Sequence, residues 1–301
     1  MLTIKNLSKR YDNGVQALNN INLSIDKGMF GLLGPNGAGK SSFMRTLATL
    51  QLPDSGSISF NGIDVLAQPE QLKKLLGYLP QDFGVYPRVS AYELLDYLAI
   101  MKGLSNAKAR KEQVLALLQQ TNLYEHRKNY VSTFSGGMRR RFGIAQALLA
   151  DPKLIMVDEP TAGLDPEERI RFYNLLSDVS ENIVLILSTH IIEDIQELCS
   201  DMAIISRGQV LKKGSPKSLM HEIKDQVWFK QSKSLNLSQL ELQHNVLSTK
   251  NFGTNKAVYV QSIKQPEAGF ELIEPSLEDV YFNTLKMSNS PSAILVNEER
   301  A

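Results

Sequence analysis

The sequence has 301 residues, 43% hydrophobic and 22% charged, a balance ordinary for a globular protein with room for one large domain or two smaller ones. A net charge of +1 argues neither for nor against a polyanionic partner, and the single cysteine, Cys199, excludes an internal disulfide and fits a reducing compartment. The start, MLTIKNLSKR, lacks the apolar core of a secretory signal, and no window approaches the ~18 uninterrupted apolar residues of a membrane helix, so the chain is expected not to cross a membrane.

LTIKNL from Leu2 and INLSI from Ile21 alternate apolar with polar residues, as half-buried strands do. MFGLL from Met29 is a continuous apolar run, which predicts a strand covered on both faces. SISF, Asn61-Gly62 and IDV predict a hairpin with a tight turn. From Ala91 the pattern turns helical, with Leu94, Leu95, Leu98 and Met101 on one face; Val114, Leu117 and Leu118 predict another helix. KLIMV from Lys153 and NIVLIL from Asn182 are two more buried strands. Between them Asp165, Pro166, Glu167 and Glu168 announce a helix, with an N-cap, a first-turn proline and two acids at the positive end of the dipole. Buried strands alternating with helices predict a parallel sheet, and the early alternating strands an antiparallel portion beside it.

Composition shifts near Gly214. GSPKSLMHEIKDQ reads as a short helix leading into a linker, followed by strands VWFKQ, NVLSTK and KAVYVQS with LSQLELQ as a helix between the first two. EPSLEDVYFNTL ends this part with Ser276 as cap and an apolar stripe of Leu277, Val280, Tyr281 and Leu285. The expected organisation is a large α/β domain over 1–220 with a helical part at about 85–150, a small α/β domain over 221–286, and a loose tail over 287–301.

The stretch GLLGPNGAGKSS carries the chemistry. Gly34, Pro35, Asn36, Gly37, Ala38, Gly39, Lys40, Ser41 and Ser42 follow a buried strand and precede a helix-forming run, the context of a P-loop. Glycines let successive N–H groups turn inward toward an anion, and the following helix adds its positive end. Lys40 can reach terminal phosphates and Ser41 can hold Mg²⁺. Asp158 emerges at the carboxyl end of a buried strand, the edge where open α/β sheets bind ligands, and Glu159 follows directly. Two such carboxylates can divide labour, one on the metal and one on the attacking water.

Ser135-Gly136-Gly137 before the helical run MRRRFGIAQALLA resembles the signature motif of ABC-transporter nucleotide-binding subunits. The rest of that set stands in order: Tyr11 where the family stacks an aromatic on adenine, Gln81 in YLPQD as the Q-loop glutamine, Ala162-Gly163-Leu164-Asp165 as the D-loop, and His190 in LSTH as the switch histidine. The resemblance covers residues 2 to about 220. Phe134 and Met138 depart from the usual leucine and glutamine of the signature, and FSGGMRRR with EPSLEDVYF resembles the subgroup exporting drugs, lipids and polysaccharides.

The resemblance implies an α/β P-loop NTPase of ABC type, with a mixed parallel core, an antiparallel β part and a helical part, plus the small C-terminal domain. It implies ATP and Mg²⁺ as ligands, with Gln81 joining Ser41 and Asp158 at the metal. It implies Glu159 as base, with His190, Gln81 and Lys40 completing the catalytic set. Each ATP would lie between one subunit's P-loop and Ser135, Gly136, Gly137 and Asp165 of a second copy or a paralogue. The membrane would be crossed by a separate multi-span permease, with this chain peripheral on its cytoplasmic side and the segment with Tyr86 and Pro87 resting against it. Arg139, Arg140 and Arg141 point in different directions on a helix, so no nucleic-acid partner is expected. A soluble ABC ATPase acting on ribosomes or DNA, and an importer ATPase with a regulatory C-terminal domain, stay open as alternatives.

Overall fold

The computed structural model describes residues 1–81, 83–84, 86–161, 164–233 and 235–289. Its centre is a six-stranded sheet in the order Gln209–Gly214, Asp201–Ser206, Gly28–Leu33, Val184–Thr189, Leu154–Asp158, Leu76–Leu79. All neighbours run parallel except the first pair. Every residue of Leu154–Asp158 and Val184–Thr189 is buried. Successive side chains leave a strand on opposite faces. Leu154, Met156, Val184 and Ile186 accordingly enter one core, and Ile155, Val157, Leu185 and Leu187 the other.

The first core lies against an antiparallel sheet of Gln16–Ile25, Leu2–Arg10, Ser55–Phe60 and Ile63–Asp64, together with the helix Lys40–Leu47. The expected hairpin is there: Asn61 and Gly62 both take positive φ, 48° and 86°, as a two-residue turn of the right twist requires. The second core gathers Leu94, Leu95, Val114, Leu117, Leu118 and Phe142 from helices Ala91–Met101, Ala107–Gln120 and Gly136–Ala147. Each of these helices has a side-chain cap. Ser90 and Glu93 form a reciprocal capping box, Asn106 accepts from two backbone N–H groups, and Ser135 Oγ accepts from Met138 N.

Four strands form a further antiparallel sheet in the order Asn245–Phe252, Asn255–Gln261, Val227–Ser232, Glu271–Ile273. It has a small core of its own around Leu240, Val246, Val258, Val260 and Phe270. The helix Leu277–Asn289 ties this sheet to the rest. Its Leu277, Val280 and Tyr281 share one apolar cluster with Ile195, Cys199 and Leu219, which lie outside the small sheet, and with Leu247 of that sheet. Ser276 and Asp279 cap it reciprocally. The helix continues to Asn289, three residues into the stretch expected to be tail; 290–301 lie outside the described residues.

Candidate functional site

Loop 34–42 leaves the carboxyl end of Gly28–Leu33 and feeds the helix Lys40–Leu47. Gly39 sits at φ 105°, and a Cβ there would stand 2.4 Å from the Ala17 carbonyl oxygen, so only glycine allows this approach. The helix has no side-chain cap and no acid in its first turn, so its first N–H groups stay open toward the loop. A cleft of about 410 Å³ runs along it, lined by Tyr11, residues 15–17, residues 36–42, Gln81 and Glu159.

Lys40 is buried and curls over the loop, its Nζ donating to the carbonyls of Gly34 (2.8 Å) and Pro35 (3.2 Å). The same Nζ lies 3.4 Å from Glu159 Oε1. Glu159 takes a positive φ of 46° just past the end of Leu154–Asp158, and its N–H donates to the Ser188 carbonyl of the neighbouring strand. That bend carries its carboxylate back over the loop. There Oε1 meets His190 Nδ1 at 3.3 Å, and Gln81 Nε2 donates to Oε2 at 3.5 Å. Three of the residues expected to act together, Lys40, Gln81 and His190, thus converge on the carboxylate of the fourth, Glu159.

Asp158 lies beneath, only 3% exposed, accepting from Ser188 Oγ at 2.6 Å, with the Ser41 hydroxyl close enough to favour its charged form. Burial pushes its carboxyl above the ordinary range. The Ser188 and Ser41 hydroxyls oppose this, the Glu159 charge adds to it, and Lys40 opposes it. Tyr11 places its hydroxyl 3.0 Å from Ser42 Oγ and 3.0 Å from Gln51 Oε1, which fixes the ring at one wall of the cleft.

Ser135, Gly136, Gly137 and Asp165 do not line this cleft. Gly137 and Asp165 meet elsewhere, through Glu168. Asp165 caps the helix Pro166–Ser180 by accepting from Glu168 N at 2.8 Å, and Glu168 packs on Gly137 so closely that a Cβ there would lie 2.8 Å from Oε2. Ser135, Gly136 and Asp165 are exposed. Ala162 and Gly163 of the D-loop resemblance lie outside the described residues, as do Asp82 and Val85 after the Q-loop glutamine. The three arginines each bind within the protein: Arg139 to the Ser132 carbonyl, Arg140 to the Gln81 carbonyl, and Arg141 to Glu168. The Arg140 contact links the helix after Ser135 to the backbone of Gln81.

Sequence reasoning passes over Ser188 and Gln51. Ser188 stands two residues before His190, but its partnership with Asp158 follows from the strand register that sets the two side by side. Gln51 follows the helix Lys40–Leu47 with no motif around it, and its bonds to Tyr11, Ser42 and Thr46 emerge only from the fold.

A phosphate loop, a hydroxyl–carboxylate pair and a strand-end glutamate on a mixed sheet define a P-loop ATPase cassette. The family profile described as ABC transporter matches residues 18–162. The chain belongs to the ATP-binding proteins of the ABC transporter family, and it is an ATP-binding ATPase cassette. It is 35% identical over 221 residues to the linearmycin resistance ATP-binding protein of Bacillus subtilis, covering 73% of this chain and 70% of that one. It is 36% identical over 222 residues to the Nod factor export ATP-binding protein I of Cupriavidus metallidurans, covering 73% of each. Among solved structures, the ATP-binding subunit of an ABC transporter matches with a TM-score of 0.67 at 29% identity, over 74% of this chain and 92% of that one. A dimeric bacterial ABC transporter cassette matches with 0.66 at 25% identity, over 71% and 98%.

Proposed function

We propose that the chain powers a membrane exporter by hydrolysing ATP as one half of a head-to-tail dimer, docked on a separate multi-span permease at the cytoplasmic face of the membrane. The observation that carries this reading is the convergence of Lys40, Gln81 and His190 on the Glu159 carboxylate beside loop 34–42. The export function named for the relative from Cupriavidus and the dimeric form of the matching cassette support the finer parts. Among the described residues no helix is long and apolar enough to cross a membrane.

In this reading the β- and γ-phosphates lie against the backbone N–H groups of loop 34–42, with Lys40 on their outer oxygens. Tyr11 offers a ring face to the base. Ser41 and Asp158 present a hydroxyl and a carboxylate, hard oxygen donors suited to Mg²⁺. Ser41 and Asp158, with Gln81 beside them, would hold it, and its charge would offset that of the phosphates. Glu159 accepts a proton from the water that attacks the γ-phosphorus; the bond to the β-phosphate oxygen breaks, and ADP and phosphate leave. His190 fixes the Glu159 carboxylate and donates to the γ-phosphate.

Ser135, Gly136 and Gly137 stand outside this cleft, at an exposed helix start beside Asp165. We assign them to the ATP of the opposite subunit, where the Ser135 hydroxyl and the open N–H groups of that helix meet the γ-phosphate. Each site is then complete only when the dimer closes, and hydrolysis reopens it. The exposed Tyr86 and Pro87 supply the surface toward the permease.

The test is recovery of the tagged chain from native membranes in mild detergent. The reading predicts a protein with several apolar stretches of about 20 residues at a fixed ratio to this chain. Recovery of this chain with no membrane protein would remove transport from the reading.

A further inference from the structure

Asp194 has no part in the site described so far, yet it is fully buried and accepts from four side chains. Its Oδ2 accepts from Thr161 Oγ1 at 2.5 Å and Thr189 Oγ1 at 2.9 Å. Its Oδ1 accepts from Arg169 Nε at 3.0 Å, from Arg169 Nη2 at 2.5 Å and from the Tyr173 hydroxyl. A buried carboxylate is retained at such a cost in desolvation only when its partners are placed to satisfy it, and all of these are.

The partners are not scattered. Thr161 lies two residues beyond Glu159, on the chain leaving Leu154–Asp158. Thr189 is the last residue of Val184–Thr189 and directly precedes His190. Arg169 and Tyr173 belong to the helix Pro166–Ser180, which Asp165 caps. Asp194 itself lies in the next helix, Ile192–Leu198, whose Ile195 is anchored in the main core. Thr189 Oγ1 also accepts from Ile191 N at 3.0 Å, so the turn carrying His190 is held on both sides.

We infer that Asp194 is a positioning residue for ATP hydrolysis, whose carboxylate fixes the strand ends presenting Glu159 and His190 relative to each other and to the helix capped by Asp165. The 3.3 Å approach of His190 to Glu159 spans two adjacent strands, and backbone pairing ends just where these side chains begin. Beyond that point Oδ2 of Asp194 is a shared acceptor for both chains. Hydrolysis depends on placing the reacting groups to a fraction of an ångström, whereas nucleotide binding through loop 34–42 does not pass through Asp194. The charge is part of the device: Arg169 needs a buried anion opposite it, and a neutral group of the same shape would hold it more weakly.

This inference rests on the roles proposed for Glu159 and His190, and its test separates the two. Asp194→Asn, Asp194→Glu and Glu159→Gln are assayed for steady-state ATP hydrolysis and for ATP affinity by direct titration, well below each variant's melting temperature. Asp194→Asn is expected to lower kcat by between about tenfold and a hundredfold while ATP affinity stays at the wild-type value. Asp194→Glu, which keeps the charge, is expected to recover part of the rate. Thr161→Val, which removes one donor and leaves the Arg169 pair, gives the same loss in milder form and serves if Asp194→Asn does not fold. A wild-type kcat in Asp194→Asn, or in Thr161→Val if that stands in, would overturn the inference. So would a fall in rate matched by an equal fall in affinity, the mark of a merely structural role. Full turnover in Glu159→Gln would instead overturn the site reading, whatever Asp194 does.

Discussion

Glu159 and His190 face each other from the ends of adjacent parallel strands, Oε1 to Nδ1 at 3.3 Å, while Lys40 approaches the same carboxylate oxygen from the phosphate loop. The contact places a carboxylate, a histidine and a buried ammonium around one point. The expected consequences start from Lys40.

In the proposed site, Lys40→Ala removes a charge-assisted partner of the phosphates as well as the cation beside Glu159. ATP affinity is expected to fall by about tenfold to a hundredfold, the range for a lost hydrogen bond to a charged group. A fluorescence titration with labelled ATP reads this directly. Wild-type affinity would show that Lys40 serves only the carbonyls of Gly34 and Pro35.

Much of this was legible in the sequence because P-loop chemistry is local: a strand, three glycines, a lysine and a hydroxyl lie within a dozen residues. The two-faced burial of KLIMV and NIVLIL and the Asn61-Gly62 turn were legible for the same reason. The strand Leu76–Leu79 was not, being four residues long and too short to show a period. Nor was the hairpin Asp201–Ser206 to Gln209–Gly214, whose turn puts Arg207 and Gly208 at positive φ with no Asn-Gly to announce it. The Asp194 network was hidden because its donors come from three segments that only the fold joins.

Ser135 separates the two halves of the proposed ATP site. Because it does not line its own chain's cleft, Ser135→Ala should leave ATP affinity of the dilute protein unchanged. Loss of the N-cap costs about 1 kcal/mol of helix stability. Hydrolysis at dimer-forming concentrations should drop by about tenfold or more. A dilution series of ATPase activity checks this; equal rates in variant and wild type would place the signature helix outside the reaction.

Asp158 carries a cost in the free protein. Burial raises its carboxyl above the ordinary range, so above that range the folded chain holds protons the unfolded chain has released, and stability falls as pH rises through it. Asp158→Asn is therefore expected to raise Tm at pH 7 while abolishing hydrolysis, with the stability gap to wild type closing toward pH 4. A pair of melting curves at the two pH values decides it. A variant less stable at pH 7 would mean that the bond from Ser188 outweighs the buried charge.

The helix Leu277–Asn289 makes the small C-terminal sheet answer to the main core. Leu277 is fully buried in the cluster containing Ile195 and Cys199. Leu277→Ala should cost about 2–5 kcal/mol and shift one cooperative unfolding transition of the whole chain. Two transitions, with only the lower one moved, would show that the two parts unfold separately.

The central claim is that Glu159 acts on the attacking water, and the most direct measurement is the ATPase rate of Glu159→Gln beside its ATP affinity. Glutamine keeps the shape and the partners at Gln81 and His190 but cannot accept the proton. Unchanged or tighter ATP binding is expected, with hydrolysis lowered by about 10²–10⁴-fold, the contribution of a general base. Turnover at the wild-type rate would contradict it and leave the meeting of Lys40, His190 and Gln81 on this carboxylate without a catalytic purpose.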